Sequence, residues 1–263
     1  HAATGTMTLH PLSEATSDAL AAAGLDPDHV ARVVRSAIDE DLAGGVDVTS
    51  VATVPESQRS RGVFAARGAG TVAGTLVATA VIEMVCGDAA ALRWAVADGD
   101  RVQAGPIGEV EAPTRLLLTA ERTALTLLCH LSGVATLTSR WADALQGTAA
   151  RVRDTRKTLP GLRALQKYAV RCGGGLNHRM SLSDAALVKD NHVLAAGGVA
   201  EAFGKVRSLS ATIPVEIEVE SVDGLRVAID AGADVVLLDN FDIDEMRAAV
   251  ELRRRLGATV MLE

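Results

Sequence analysis

A chain of 263 residues with a formal net charge of −7 is long enough to bury one large core or two modest ones. Hydrophobic residues make up 48% of it and aromatics only 2%, so the core must be built from Leu, Val, Ile and Ala. The acidic balance and the scarcity of rings on which bases stack exclude a general nucleic-acid binder.

Residues 1–25 open with HAATGTMTLH and lack a basic start followed by an apolar run, so they read as a poorly ordered leader or processing remnant rather than a secretory signal. The first helical signal is DPDHVARVVRSAIDEDL at 26–42, with Val30, Val33, Val34, Ala37 and Ile38 on one face and Asp26 as N-cap. Short strands follow around RGVFAARG and TVAG. TLVATAVIEMVCG at 75–87 is a second helix, capped by Thr75 and stopped at Gly87. It is the longest apolar stretch, yet it carries Glu83 and is too short to span a bilayer, so no membrane partner is expected.

ALRWAVADGDRVQAGPIGEVEAP alternates apolar and polar residues between glycine turns, as antiparallel strands do. Its DGDRVQAG turn has no lysine at a hairpin tip, which excludes a lipoyl-type carrier. TRLLLTAERTALTLLCHLSG (114–133) and TLTSRWADALQG (136–147) read as two amphipathic helices. Cys86, Cys129 and Cys172 are odd in number and show no CxxC or CxH spacing, which fits a reduced, cytoplasmic setting without structural zinc.

Beyond residue 148 the pattern changes. AARVRDTRK, DAALVKDNH, IPVEIEVES, ADVVLLDN and ATVMLE are short β-branched runs separated by helical stretches, which implies parallel strands with right-handed crossovers. Each run ends in charge: Arg156 and Lys157, Lys189 and Asp190, Glu218 and Glu220, Asp239, and Glu263. The carboxyl ends of parallel strands gather at one face, so five such ends predict a polar pocket. Five strands cannot close an eight-stranded barrel, and the chain ends at Glu263 with further strands expected to be missing.

Residues 153–179, RDTRKTLPGLRALQKYAVRCGGGLNHR, hold seven Arg or Lys against the single acid Asp154. That local +6 leaves −13 for the rest of a −7 chain. Arg163 and Arg171 fall on a helix that begins near Pro160 and read as a solvated face. The GGG run is expected to let backbone approach a ligand. TRK and NHR flank the helix instead, and forked guanidiniums bind planar carboxylates in pairs, so they suit a small polyanion. Glu216, Glu218 and Glu220 are in phase on one strand face. At least one of them needs a cation, a Mg²⁺ ion or sugar hydroxyls as partner, and Asp239 after the apolar VVLL has the same need. His130 and His192 lack metal-spaced partners and read as core or capping residues.

RDTRKT, LR.LQKYAVR, GGG.NHR, D.ALVKDNH, EIEVES and VVLLDNF together resemble the bacterial quinolinate phosphoribosyltransferases, the carboxylating nicotinate-nucleotide pyrophosphorylases; TAERTALTLLCHLSG matches that family's helix leading into its barrel. The resemblance implies an N-terminal α/β sandwich at 26–128, then an incomplete, open α/β barrel at 129–263, working as a homodimer. It implies transfer of phosphoribosyl from phosphoribosyl pyrophosphate (PRPP) to quinolinate with decarboxylation, giving nicotinate mononucleotide, with Mg²⁺ as cofactor. By matching motif, Thr155, Arg156, His178, Arg179 and Lys189 would line the quinolinate pocket, and Lys157 would meet the diphosphate. Glu218 and Asp239 would hold the ribose hydroxyls and the Mg²⁺ environment, and Arg122 would reach into the partner's site. The catalytic set implied is Lys157, Lys189, Glu218 and Asp239. In the family the VMLE strand leads into a Ser/Gly-rich phosphate-binding segment, so a chain ending at Glu263 is expected to bind PRPP weakly. Three rivals stay open: a nicotinate-type phosphoribosyltransferase of the same fold, a Schiff-base lyase using Lys189, and a quinolinate-binding dimer without turnover.

Overall fold

The computed structural model describes residues 7–263, which divide into two compact units, one ending at His178 and one spanning Arg179–Glu263. Each unit has its own hydrophobic core.

The first unit begins with α1 (Glu14–Ala22), α2 (Pro27–Leu42) and α3 (Val48–Thr53). The expectation of a poorly ordered leader over 1–25 is corrected for residues 7–25. Ser13 caps α1 by accepting the Thr16 N–H, its own N–H donates to Glu83 Oε1 at 3.0 Å, and Leu20 is fully buried. Residues 1–6 lie outside the described residues. Helix α2 starts as its sequence dictates, with the Asp28 N–H on Asp26 Oδ1 at 3.0 Å and Val30, Val34 and Ile38 buried.

There follow β1 (Arg59–Ala66), β2 (Gly70–Thr71), α4 (Thr75–Cys86), β3 (Ala91–Trp94), β4 (Arg101–Val102) and β5 (Gly105–Pro113). The strands form an antiparallel sheet in the order β1-β5-β3 and a separate ribbon β2-β4. Helix α4 is apolar nearly all round and is accordingly buried on every side. Its N-cap is Gly74, not the expected Thr75, whose own N–H is taken by Asp98 Oδ1 at 2.9 Å.

Where two helices were expected, a single one forms, α5 (Thr114–Ala144). Ser132-Gly133 reads as a stop but is not one. Ser132, Thr136 and Ser139 make a polar stripe at i, i+4, i+7 that serves the edge backbone of β2 and its continuation. Thr136 Oγ1 accepts the Thr71 N–H at 2.8 Å, Ser132 Oγ accepts the Ala73 N–H at 3.1 Å, and Ser139 Oγ accepts the Thr71 hydroxyl at 2.9 Å. The helix continues because its hydroxyls satisfy a sheet edge. The boundary expected between residues 128 and 129 falls inside it.

The unit closes with α6 (Arg163–Cys172), which starts after Pro160 and Gly161 rather than at them. The glycines that follow serve packing, which corrects the expectation of a ligand approach for Gly173 and Gly175. A Cβ on Gly173 would sit 2.4 Å from the Ala135 carbonyl oxygen and 2.6 Å from Thr138 Cβ, both on α5. A Cβ on Gly175 would sit 2.7 Å from Val170 Cγ1. Gly173 has φ −79°, so the obstacle there is steric and not conformational. Gly173→Ala is therefore expected to cost about 1–3 kcal/mol, as overpacking does, seen as a lower urea midpoint at unchanged slope. A variant matching wild type would show that α5 yields at this contact.

The second unit alternates β6 (Ala186–Val188), α7 (Asp190–Ala196), α8 (Val199–Leu209), β7 (Val215–Val219), α9 (Val222–Asp230), β8 (Val235–Leu238), α10 (Ile243–Arg255) and β9 (Met261–Leu262). The four strands are parallel in the order β6-β7-β8-β9. The first run of the predicted alternation, AARVRDTRK, is no strand of this sheet. It makes one parallel bridge, Arg153 with Leu176, in the first unit. Register divides the sheet's faces. Val188, Ile217, Val236 and Leu262 pair in line and pack with Phe203, Leu225 and Leu252 in the core. The opposite face carries Leu187, Glu216, Glu218 and Leu237, and the same alternation puts Lys189, Asp239 and Glu263 on it. Among the described residues no helix is long and apolar enough to cross a membrane.

Candidate active site

In the first unit the basic stretch is organised around one acid. The Asp154 carboxylate accepts from Lys167 Nζ, from the His178 N–H at 2.8 Å and from Asn177 Nδ2 at 2.6 Å. Lys167 is fully buried and the Asp154 side chain is 7% exposed, so this ion pair is screened from water. Thr155, Arg156 and Lys157 follow directly. The Lys157 N–H donates to Thr155 Oγ1 at 3.0 Å, a short turn that leaves the Lys157 side chain exposed. Arg156 is half-buried, and its buried Nε has no hydrogen-bond partner among the described residues. Buried donors are almost always satisfied, so this N–H is open to an acceptor that the described residues do not supply.

Arg163 and Arg171 are not a merely solvated face, which corrects that expectation. Arg163 Nε donates to Thr158 Oγ1 at 3.0 Å. Arg171 donates to Asn177 Oδ1 at 3.0 Å and to the Ala23 carbonyl at 2.6 Å, and lies 5.5 Å from the Tyr168 ring centre. Tyr168 in turn donates to Asp98 Oδ2 at 2.7 Å. Burial first, and then the Asp98 charge, push the Tyr168 phenol well above its usual range, so it remains a neutral donor anchoring α6. His130 is tied to Gln166 Nε2 at 2.8 Å.

Arg122 projects from α5, exposed, into a groove of about 830 Å³ between that helix and β1–β2. Leu125 and Cys129 line the same groove at helical spacing, and Leu118, 42% exposed, precedes them on that face.

In the second unit the strand ends deliver the acids and cations together. Lys189 Nζ lies 2.9 Å from Glu218 Oε2, with Glu218 nearly buried and Lys189 half-exposed. The backbone N–H of Lys189 donates to His192 Nδ1 at 3.0 Å, so His192 steadies the residue from the first turn of α7 and is a capping group, as expected. Asp239 sits just past β8, its N–H on the Val219 carbonyl at 3.0 Å and its Oδ2 accepting from Asn240 Nδ2 at 3.0 Å. Asn240 adopts φ 58°, a left-handed turn that Asn tolerates better than other side chains. Arg179 donates to the Ala185 carbonyl at 3.0 Å. Glu220 lies beyond β7 and is exposed, so the in-phase acids within the strand are Glu216 and Glu218.

The structure thus groups Thr155, Arg156, Lys157 and His178 around Asp154 in one unit, and Lys189, Glu218 and Asp239 on one sheet face in the other. Asp154, Lys167 and Asn177 were not anticipated as site residues. The available signal was lysine usage, since only four lysines stand among 26 basic residues and Lys167 lies between the apolar turns of α6. Glu218 and Asp239 offer hard oxygen donors at neighbouring strand ends. With one oxygen of each engaged, by Lys189 and Asn240, each keeps a second for a sugar hydroxyl or a cation such as Mg²⁺.

Comparison with known proteins bears on these groups. The model of the quinolinate phosphoribosyl transferase N-terminal domain matches residues 47–132, and that of the C-terminal domain matches residues 134–263. A carboxylating nicotinate-nucleotide pyrophosphorylase of Mycobacterium leprae is 49% identical over 232 residues, covering 88% of this chain and 82% of the relative. A probable one of Methanocaldococcus jannaschii is 37% identical over 231 residues, covering 86% and 78%. The solved nicotinate-nucleotide pyrophosphorylase of Francisella tularensis superposes with a TM-score of 0.83 at 39% identity, covering 89% of this chain and 82% of that one. The chain belongs to the quinolinate phosphoribosyltransferase family.

Proposed function

We propose that this chain transfers the phosphoribosyl group of PRPP to the ring nitrogen of quinolinate and releases one ring carboxylate as CO₂, giving nicotinate mononucleotide and diphosphate. The observation that carries the reading is the unsatisfied buried Nε of Arg156, beside exposed Lys157, in a chain whose net charge is −7. An acidic protein holding a guanidinium donor out of water and without an acceptor is arranged for an anionic ligand, and quinolinate carries two carboxylates. The relatives' names supply the substrate class.

Each residue then has a task its chemistry suits. Arg156, with His178 and Arg179, would bind the ring carboxylates, a guanidinium matching a planar carboxylate with two parallel donors. Thr155 would add a hydroxyl, and its hold on the Lys157 N–H sets the turn that presents the Lys157 ammonium to the diphosphate. The C1′–oxygen bond of the sugar breaks toward diphosphate while the pyridine nitrogen forms the new bond, and Glu218 and Asp239 would stabilise the positive charge that develops at C1′. CO₂ leaves, the electron pair of the broken carbon–carboxylate bond stays on the ring carbon, where the adjacent pyridinium nitrogen stabilises it, and that carbon takes a proton. Lys189 would manage charge there, its ammonium kept in place by Glu218. A bound Mg²⁺ would supply charge neutralisation for the diphosphate, and Glu218 and Asp239 are the residues that would hold it.

The homodimer belongs to the same proposal. Arg122 would serve the partner's site, a reading supported by its exposure on α5 between Leu118 and Leu125. A cytoplasmic setting is supported by the unpaired thiols of Cys86, Cys129 and Cys172. The test compares quinolinate with nicotinate as acceptor at equal concentration, with PRPP and Mg²⁺ present. Turnover of quinolinate at least about a hundredfold above nicotinate is expected, because a site built for two carboxylates leaves buried donors unpaired around one. Preference for nicotinate would instead favour the one-carboxylate relative of the same fold.

A further inference from the structure

The buried Lys167–Asp154 pair is assigned no contact with substrate itself, and ion pairs of this kind are weak devices for stability, since apolar replacements of both partners are often neutral. What the pair does hold is the backbone of a proposed binding residue. Asp154 takes the His178 N–H at 2.8 Å, and Lys167 Nζ donates to the His178 carbonyl at 2.9 Å, so both peptide groups of His178 end on the same ion pair. The two chain segments involved are also bound to each other. The Leu176 N–H donates to the Val152 carbonyl at 2.9 Å, and the Asp154 N–H to the Leu176 carbonyl at 3.1 Å. Asn177 completes the arrangement, its Nδ2 donating to Asp154 Oδ2 at 2.6 Å and to the Lys167 carbonyl at 2.8 Å. Its Oδ1 accepts from Arg171, which also holds the Ala23 carbonyl at the end of α1.

We infer that Lys167 and Asn177 are positioning residues for quinolinate binding, acting through the Asp154 carboxylate. They lock the Thr155–Lys157 turn, which begins one residue after Asp154, against the His178 backbone. The inference rests on the proposed function and adds the device that sets the spacing of the cationic clamp. Binding geometry is sensitive here because a displacement of about 1 Å in a clamp can cost about a hundredfold in rate. The Lys157 ammonium lies farther along the turn on a flexible stem, so diphosphate recognition is less dependent on the pair.

The test is the double variant Asp154→Asn/Lys167→Met, which removes both charges while keeping volume, assayed beside wild type with both substrates varied. The expected result is a folded protein, by circular dichroism and urea midpoint, whose KM for quinolinate rises at least about tenfold while KM for PRPP stays within about twofold. A purely structural role would move both constants together or neither, and either pattern in a folded variant overturns the inference. Should the double variant not fold, Asn177→Ala keeps the ion pair and carries the same test, with a rise of about threefold or more in quinolinate KM alone expected. Wild-type protein that turns over no quinolinate overturns the functional reading itself, and the inference with it. Wild-type turnover with unshifted quinolinate KM in the variants overturns only the inference.

Discussion

Arg156→Ala is expected to raise KM for quinolinate by about two orders of magnitude, roughly 3 kcal/mol, which is what losing a charge-assisted two-point contact to a carboxylate costs. The folded protein should not suffer. The Arg156 Nε is buried with no hydrogen-bond partner among the described residues, so truncation removes an unsatisfied donor and the urea midpoint should hold or rise. Arg156→Lys should recover only part of the affinity, because an ammonium is a point charge without the planar fork. Steady-state kinetics with quinolinate varied at saturating PRPP reads the effect. A variant with wild-type KM, or one that loses stability in step with activity, would mean that Arg156 serves the fold.

Lys189→Ala should act on the chemical step instead, lowering kcat by about 10²–10³ while leaving quinolinate KM within a few-fold. The ammonium is held 2.9 Å from Glu218 Oε2 at the mouth of a parallel sheet, and Glu218 is the more buried partner. Removing Lys189 leaves Glu218 without its ion-pair partner and, on the proposed mechanism, would take the cation away from the carbon that gains negative charge. Lys189 is itself 46% exposed, so the stability change should stay near 1 kcal/mol, the scale of a partly solvated pair. Lys189→Arg should restore kcat only in part, because a broad planar guanidinium does not reproduce the compact point charge that Glu218 holds. Single-turnover measurement of CO₂ release separates this from a binding defect. Full rescue by Arg would reduce Lys189 to a source of fixed charge, and retained kcat in the Ala variant would remove it from the chemistry.

The parts legible in the sequence are those governed by local pattern. The α2 cap at Asp26, the antiparallel strands after Ala91 and the charged ends of the four parallel strands all follow from period, turn chemistry and the apolar runs preceding each charge. The place of Lys189, Glu218 and Asp239 at strand ends was legible too, while the sheet face they share rests on the register between the strands. What stayed hidden depends on contacts distant in sequence. Ser132-Gly133 could not be seen as helix interior without the segment that continues β2, where the Ser132 hydroxyl accepts the Ala73 N–H across 59 positions. Nor could Gly173 be read as a packing glycine without the Ala135 carbonyl that fills its space. Asp154 stood as the single acid in a basic stretch, and nothing local tied it to Lys167 among that stretch's seven cations. Only the fold shows that the two are buried together and hold His178.

The most direct measurement is the stoichiometry of products from quinolinate and PRPP with Mg²⁺, following CO₂ from a carboxyl-labelled ring and nicotinate mononucleotide in the same reaction. One CO₂ for each mononucleotide formed is expected, with none when PRPP is left out, because decarboxylation waits on the pyridinium that ribosylation creates. Ribosylated product without CO₂, or CO₂ release independent of PRPP, would contradict it.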